Sequence, residues 1–109
     1  MIVGAERILE EIRRKFHAVE YEYSLHAVDQ SILSHVTRRE VEEAVANGEV
    51  IEDYPTDKYG PSCLIFGFTA AGRPLHVQCT DPTRQRVKII TLYEPDPSEW
   101  VDFRSRRQP

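Results

Sequence analysis

The hydrophobic and polar positions follow two different periods along the chain, and the period changes near the middle. In residues 5–18 the apolar side chains recur every three or four positions, as on one face of a helix: Ile8, Leu9, Ile12 and Phe16. From residue 50 onward apolar and polar positions alternate, as along a strand with one buried face. The pattern therefore predicts an α+β fold, in which N-terminal helices pack on a twisted antiparallel sheet of about four strands.

Two further helices are predicted between these regions. Residues 21–24 interrupt the first helix, and Ser24 can serve as the N-cap of a weakly patterned helix over residues 26–33. Thr37 and Glu40 have the spacing of a capping box, in which each side chain accepts a hydrogen bond from the other residue's backbone amide. The helix that starts there is expected to bury Val41, Ala44 and Val45.

Turn residues divide the second half into strands over residues 50–54, 62–69, 73–80 and 86–93, with a loop at 55–61. A three-residue turn at 70–72 places Cys63 opposite Cys79, and Phe66 opposite His76. One face of this hairpin is apolar and should pack under the helices: Cys63, Ile65, Leu75, Val77 and Cys79. The other face is expected to be open or partly covered: Leu64, Phe66, Phe68, His76 and Gln78. After the sheet, Ser98 is expected to cap a final turn holding Trp100 and Phe103.

Length and charge restrict the classes of function. At 109 residues we expect one domain, with a core over about 5–103 and a basic C-terminal tail over 104–109. Neither a membrane-spanning run nor a signal-peptide pattern is present in the sequence, which predicts a cytoplasmic protein without membrane contact. The net charge of −4 argues against strong non-specific binding to nucleic acid.

Basic residues nevertheless gather in four places: Arg13-Arg14-Lys15, Arg38-Arg39, Arg84-Arg86-Lys88 and Arg104-Arg106-Arg107. These clusters either form a local basic surface or are solvated faces without a partner.

His76 is the first candidate for chemistry, because it stands mid-strand shortly after the Gly-Arg-Pro turn. Imidazole titrates near neutral pH and can serve as general acid or base. Arg73 could hold an anionic oxygen with its planar fork of donors. Thr91 and Tyr93 alternate along the last strand, and a hydroxyl lies near His76 if that strand pairs with 73–80. The alternatives are a satisfied structural histidine, a solvated arginine and a half-buried tyrosine.

His26 is a second candidate acid or base, with a core or capping histidine as the alternative. Cys63 and Cys79 are interpreted as small buried hydrophobes, because a disulfide is disfavoured in a reducing cytosol. There is no metal-binding spacing and no phosphate-binding loop, so we predict no metal and no cofactor. The carboxylates Glu52, Asp53 and Asp57 are interpreted as solvated, with a Mg²⁺ role left open.

An ordered set of motifs spans about residues 21–100: Tyr23-Ser24-Leu25-His26-Ala27, Glu40-Val41-Glu42-Glu43-Ala44, residues 47–55, Tyr59-Gly60-Pro61-Ser62-Cys63-Leu64, Gly72-Arg73-Pro74-Leu75-His76-Val77 and residues 89–95. The set resembles a bacterial family of domains of unknown function. Small members of that family are often encoded beside zinc-finger antitoxins of the MqsA type. The resemblance implies a RelE/ParE/MqsR-like toxin fold and a toxin of a type II system, acting as a ribonuclease on mRNA.

Two functions follow as expectations. The first is a metal-independent endoribonuclease in which His76 and His26 serve as acid and base, Tyr93 supports them, and Arg73 holds the phosphate. Phe66, Phe68 and Thr91 would contact the substrate. The second is a toxin-like module without catalysis that docks an antitoxin or another protein. The family tends to have arginine where this chain has Gln30 and His35, and this difference favours the second function. A third option is a small-molecule pocket lined by Phe66, Phe68 and Trp100.

Overall fold

The computed structural model describes residues 3–58 and 60–108. Tyr59 of the predicted loop, the first two residues and Pro109 lie outside the described residues. The elements are α1 (Val3–His17), β1 (Tyr21–Tyr23), α2 (Leu25–Leu33), α3 (Arg38–Ala46), β2 (Glu49–Tyr54), β3 (Ser62–Phe68), β4 (Pro74–Thr80), β5 (Val87–Tyr93), β6 (Trp100–Val101) and β7 (Ser105–Arg106).

The predicted α+β class is confirmed, and β2–β5 form the expected antiparallel meander. The prediction of about four antiparallel strands is wrong, because the main sheet has five strands in the order β1-β5-β4-β3-β2. The added strand, β1, pairs in parallel with β5, with Tyr21 opposite Val87. Three residues are too few to show an alternating pattern. The sequence therefore predicted only an interruption between helices where the structure has an edge strand.

The predicted register of the central hairpin is confirmed: Cys63 lies opposite Cys79, and Phe66 opposite His76. The apolar face of this hairpin belongs to the core beneath the helices, as expected. At Gly67 the sheet meets α3 directly, since a Cβ there would lie 1.9 Å from the carbonyl oxygen of Ala44. Glycine is therefore required at this position for α3 to lie as close as it does.

The second face of the sheet, expected to be open or partly covered, is covered over most of its length, and Phe68 remains exposed at its end. Leu64, Phe66 and His76 are all buried. Their cover is the segment 98–107, which we call the C-terminal strap. It contains the β6–β7 hairpin, whose turn has positive φ at Asp102 (54°) and Phe103 (61°).

The entry to the strap also differs from the prediction, because Asp96 and not Ser98 receives the local hydrogen bonds. Its carboxylate accepts from the Ser98 amide at 2.8 Å, and its carbonyl accepts from the Trp100 amide at 3.1 Å. Arg104 and Arg106, expected in a basic tail, are part of the strap and bind Glu49 and Glu52 of β2.

Candidate functional site

His76 lies in an aromatic box between the sheet and the C-terminal strap, with none of its surface exposed. The Trp100 ring stands perpendicular to it at 4.4 Å between centroids, and Phe66 lies at 5.7 Å. Tyr93, which faces His76 from β5, has its ring at 5.2 Å. The structure therefore brings together His76, Tyr93 and Phe66 as the strand pattern predicted, but it closes the site with Trp100.

Both ring nitrogens of His76 have partners. Nε2 lies 2.6 Å from the carbonyl oxygen of Phe103 in the strap, and Nδ1 lies 3.2 Å from the Tyr93 hydroxyl. Since a carbonyl only accepts, Nε2 carries the proton and donates it, while Nδ1 accepts from the Tyr93 hydroxyl. Burial lowers the pKa of His76, because it disfavours the imidazolium more than the Phe103 carbonyl favours it. This neutral histidine pins the strap to the sheet.

A second polar contact anchors the strap beside this box. The Arg106 guanidinium binds the Glu52 carboxylate through two nitrogens at 2.9 and 3.1 Å and lies 4.7 Å from the Trp100 ring centroid. The Tyr54 hydroxyl also donates to Glu52. Burial opposes ionisation of Glu52, but the Arg106 and Tyr54 hydrogen bonds lower its pKa. Burial and the Glu52 carboxylate together raise the pKa of Tyr54 to about 12.

Arg73 does not join His76. Three positions separate them along an extended segment, so their side chains project to opposite faces of the sheet. On the helix side, Arg73 donates to Glu94 at 2.8 Å and to the carbonyls of Ser34 and His35. The Glu94 hydrogen bond raises the pKa of Arg73. Arg73 thus joins the end of β5 to the end of α2, and its donors are used within the fold.

The other predicted site residues are also dispersed. His26 is exposed in the first turn of α2, whereas His76 is buried between the sheet and the C-terminal strap. The Thr91 hydroxyl donates to the Gln30 side chain at 2.7 Å. Phe68 lies at the rim of the aromatic box, 5.1 Å from Phe66, and is partly exposed. The small-molecule pocket expected from Phe66, Phe68 and Trp100 is filled by Phe103 of the strap.

Helix α2 presents its apolar side chains to solvent. Its outward residues are 87% exposed at Leu25, 81% at Leu33, 65% at Ile32 and 38% at Val28. Only Ala27 of the helix is buried. The inward side carries Gln30, whose carbonyl oxygen accepts from the Leu92 amide of β5 at 2.8 Å. This orientation is the reverse of an ordinary surface helix, in which the apolar stripe faces the core.

The outward face of α2, defined by Leu25, Val28, Ile32 and Leu33, was not among the predicted site residues. Its signal in the sequence is the spacing of Leu25, Val28 and Ile32 at i, i+3 and i+7. The same spacing is typical of a buried stripe, so the pattern alone does not reveal which side faces solvent. The polar Gln30 on the opposite side is the clue that the usual orientation is reversed.

Several arginines of the basic clusters are paired with neighbouring acids. Arg14 pairs with Glu11 at 2.9 Å, and Arg39 lies 3.6 Å from Glu43. Arg38 lies 3.7 Å from Glu42 and also donates to the Tyr21 hydroxyl at 2.5 Å. Such ion pairs are typical of solvent-exposed surfaces whose charges cancel. They do not form the continuous basic surface that binds the phosphates of a nucleic acid.

Cys63 and Cys79 are free and buried, which confirms their interpretation as small core residues. Burial raises the pKa of Cys63 to about 12 and raises that of Cys79 as well. Within residues 3–58 and 60–108, no three His, Cys, Asp or Glu side chains are grouped so that they could hold a metal ion. Among the described helices, none has the length and apolar character needed to cross a membrane.

Comparison with known proteins gives one family. The model of a domain of unknown function, DUF4258, matches residues 23–94. No curated protein and no solved structure matches the chain. The matched region includes α2 and the strands that carry His76 and Tyr93, whereas the C-terminal strap lies beyond it.

Proposed function

The chain belongs to the DUF4258 family of domains of unknown function, and we propose that it is a non-catalytic module that docks a protein partner on the outward face of α2. The observation that carries the proposal is the reversed orientation of this helix, with Leu25, Ile32 and Leu33 mostly in solvent. Large exposed apolar patches on a folded domain mark interaction sites, and each of these three side chains exposes more than half of its surface.

The polar residues of the fold support the same conclusion. An acid–base catalyst must reach a proton on its substrate, but both nitrogens of His76 are engaged within the protein. Arg73 is on the other face of the sheet, where Glu94 and two carbonyl groups take its donors. The histidine and the arginine are structural connections, one to the strap and the other to α2.

The partner we propose is the product of the adjacent open reading frame, in the position of an antitoxin. The two proteins should co-purify when expressed together, and Ile32→Glu should abolish this association while the chain stays folded. Val101→Glu, which places the same charge on an exposed apolar residue of the C-terminal strap, is the matched control and should leave the association intact. Co-purification that survives both Leu25→Glu and Ile32→Glu would contradict the proposal.

A second candidate function is an endoribonuclease toxin with a RelE/ParE-like fold, acting on mRNA in the cytoplasm. The observation that favours it is the gathering of His76, Tyr93 and Glu52 on one face, close to the cation Arg106. In this function, the C-terminal strap has to leave the sheet before RNA can reach His76. The imidazole would then exchange protons with the 2′-hydroxyl or the leaving oxygen, with Tyr93 in support.

Induced expression separates the two functions. A ribonuclease predicts growth arrest and degraded total RNA with the wild type, and loss of both with His76→Ala, at a cost of about 10²- to 10⁴-fold in cleavage rate. The docking module predicts intact RNA with either protein. His26→Ala is the control, because its ring is exposed on α2, outside the aromatic box that surrounds His76.

A further inference from the structure

Building on the proposed function, we infer that the occupant of the outward face of α2 is an amphipathic helix of a different protein, carrying Lys or Arg opposite Asp29, and not a second copy of this chain. The inference depends on where the charge lies within the apolar face. Asp29 is exposed and is the middle residue of the nine in α2. At 100° per residue it lies between Leu25, Ile32 and Leu33 on the outward side.

The position of Asp29 disfavours self-association through this face. In a two-fold symmetric contact in which two copies of α2 run parallel, each residue meets its own counterpart, so Asp29 faces Asp29 of the second copy. When the two helices run antiparallel, Asp29 again faces Asp29 in the register in which the nine-residue helices overlap fully, and a shifted register gives up part of the apolar overlap. Burying two carboxylates together without a cation is strongly unfavourable. A heterologous partner avoids this repulsion and can place a cation there.

The surface beside α2 extends the argument from charge to shape. A groove of about 390 Å³ runs between α2, β1 and the start of α3, and Val28 is shared by the groove and the apolar face. Glu22 lines the groove and is exposed. Arg38 lines it too, but its charge is met by Glu42. The surface thus has an apolar ridge next to a groove, a shape that fits the apolar face of a helix. Among the residues that the structure describes, its unpaired charges are acidic, so the helix should carry basic residues beside its apolar face.

The test uses two designed 18-residue helical peptides with the same leucine stripe, one flanked by lysines and the other by glutamates. Fluorescence anisotropy should show the lysine peptide binding the wild type at least tenfold more tightly than the glutamate peptide. Asp29→Lys should reverse this preference, and Ile32→Glu should abolish binding of both peptides. Glu99→Lys, the same charge change on the exposed strap, should leave the preference unchanged.

The inference is overturned if Asp29→Lys and Glu99→Lys change the preference equally, because the effect would then be one of net charge. It is also overturned if sedimentation shows a dimer that Ile32→Glu converts to monomer, since the occupant would then be a second copy. Neither result would support the endoribonuclease function. RNA cleavage that depends on His76 would instead refute the proposed function, whatever the peptides do.

Discussion

Helices α2 and α3 have nine residues each, yet they are attached to the sheet in opposite ways. Helix α3 buries Val41, Ala44 and Val45 and turns its charges to solvent. Helix α2 buries only Ala27, and it is held along β5 by Ser24 and Gln30. An apolar attachment uses up the hydrophobic face of a helix. A polar attachment leaves that face available for another protein.

The apolar attachment of α3 should be the most sensitive to change. Gly67→Ala places a methyl group 1.9 Å from the Ala44 carbonyl oxygen, so α3 must move off the sheet. We expect a loss of about 3 kcal/mol or more in the free energy of unfolding, at the upper end for overpacked sites. Urea denaturation measures it. A loss below about 1 kcal/mol would mean that α3 is not held as closely as its contacts indicate.

The polar attachment of α2 should depend on one side chain. Gln30→Ala leaves the Leu92 amide without its acceptor, and we expect a loss of about 1–3 kcal/mol in the free energy of unfolding. Gln30→Glu keeps an oxygen in the same place and should recover much of that loss. Gln85→Ala, at an exposed position, is the control. Equal destabilisation by Gln30→Ala and Gln85→Ala would contradict a polar attachment of α2.

The C-terminal strap is also held by polar contacts, and its stability should depend on pH through His76. Burial lowers the pKa of His76 in the folded protein. As the pH falls, the imidazole of the unfolded chain is therefore protonated before that of the folded chain. The contribution of His76 to the free energy of unfolding is therefore fully present above about pH 6.5, the pKa of histidine in the unfolded chain. Below that pH the free energy of unfolding falls by up to about 1.4 kcal/mol per pH unit.

Denaturation between about pH 7 and pH 5.5 measures this slope before most carboxylates titrate. His76→Gln should flatten the slope, while the control His26→Gln should retain it. Identical slopes for the wild type and His76→Gln would show that the buried imidazole does not set the pH response of the strap.

The smallest effect on stability is expected on the outward face of α2. Ile32→Glu should change the free energy of unfolding by no more than about 0.5 kcal/mol, because the residue is mostly exposed in the isolated chain. Val41→Glu is the matched change on α3 and should prevent folding, since Val41 is fully buried. If Ile32→Glu destabilises the isolated chain by several kcal/mol, the face is already part of the core.

The sequence predicted the features that depend on neighbouring residues. The capping box at Thr37 and the hairpin register around Phe66 and His76 are both confirmed, because each is set within a few residues or by one turn. Strand β1 could not be predicted, since its partner is more than sixty residues away and only three residues pair. The hairpin of the strap was not predicted, because its turn has positive φ at Asp102 and Phe103, and neither position is a glycine that would indicate such a turn.

The candidate site was predictable only in part. Alternation along β5 indicated that Tyr93 could meet His76, and their side chains are in contact. The same alternation could have shown that Arg73, an odd number of positions from His76, projects to the other face. The reversed orientation of α2 is set by the backbone groups of β5 that Gln30 and Ser24 bind, and the only local sign of it is a polar Gln30 opposite the apolar positions.

The way β5 is covered limits how another protein can be recognised on that side of the molecule. Strand β1 pairs with residues 87–89. Ser24 then donates to the carbonyls of Ile89 and Ile90, and Gln30 accepts from the Leu92 amide. An incoming strand would have to displace all of these contacts to extend the sheet there. Side-chain contacts must therefore decide which partner binds on this side. A few substitutions on a partner could change its binding preference without any change in backbone pairing.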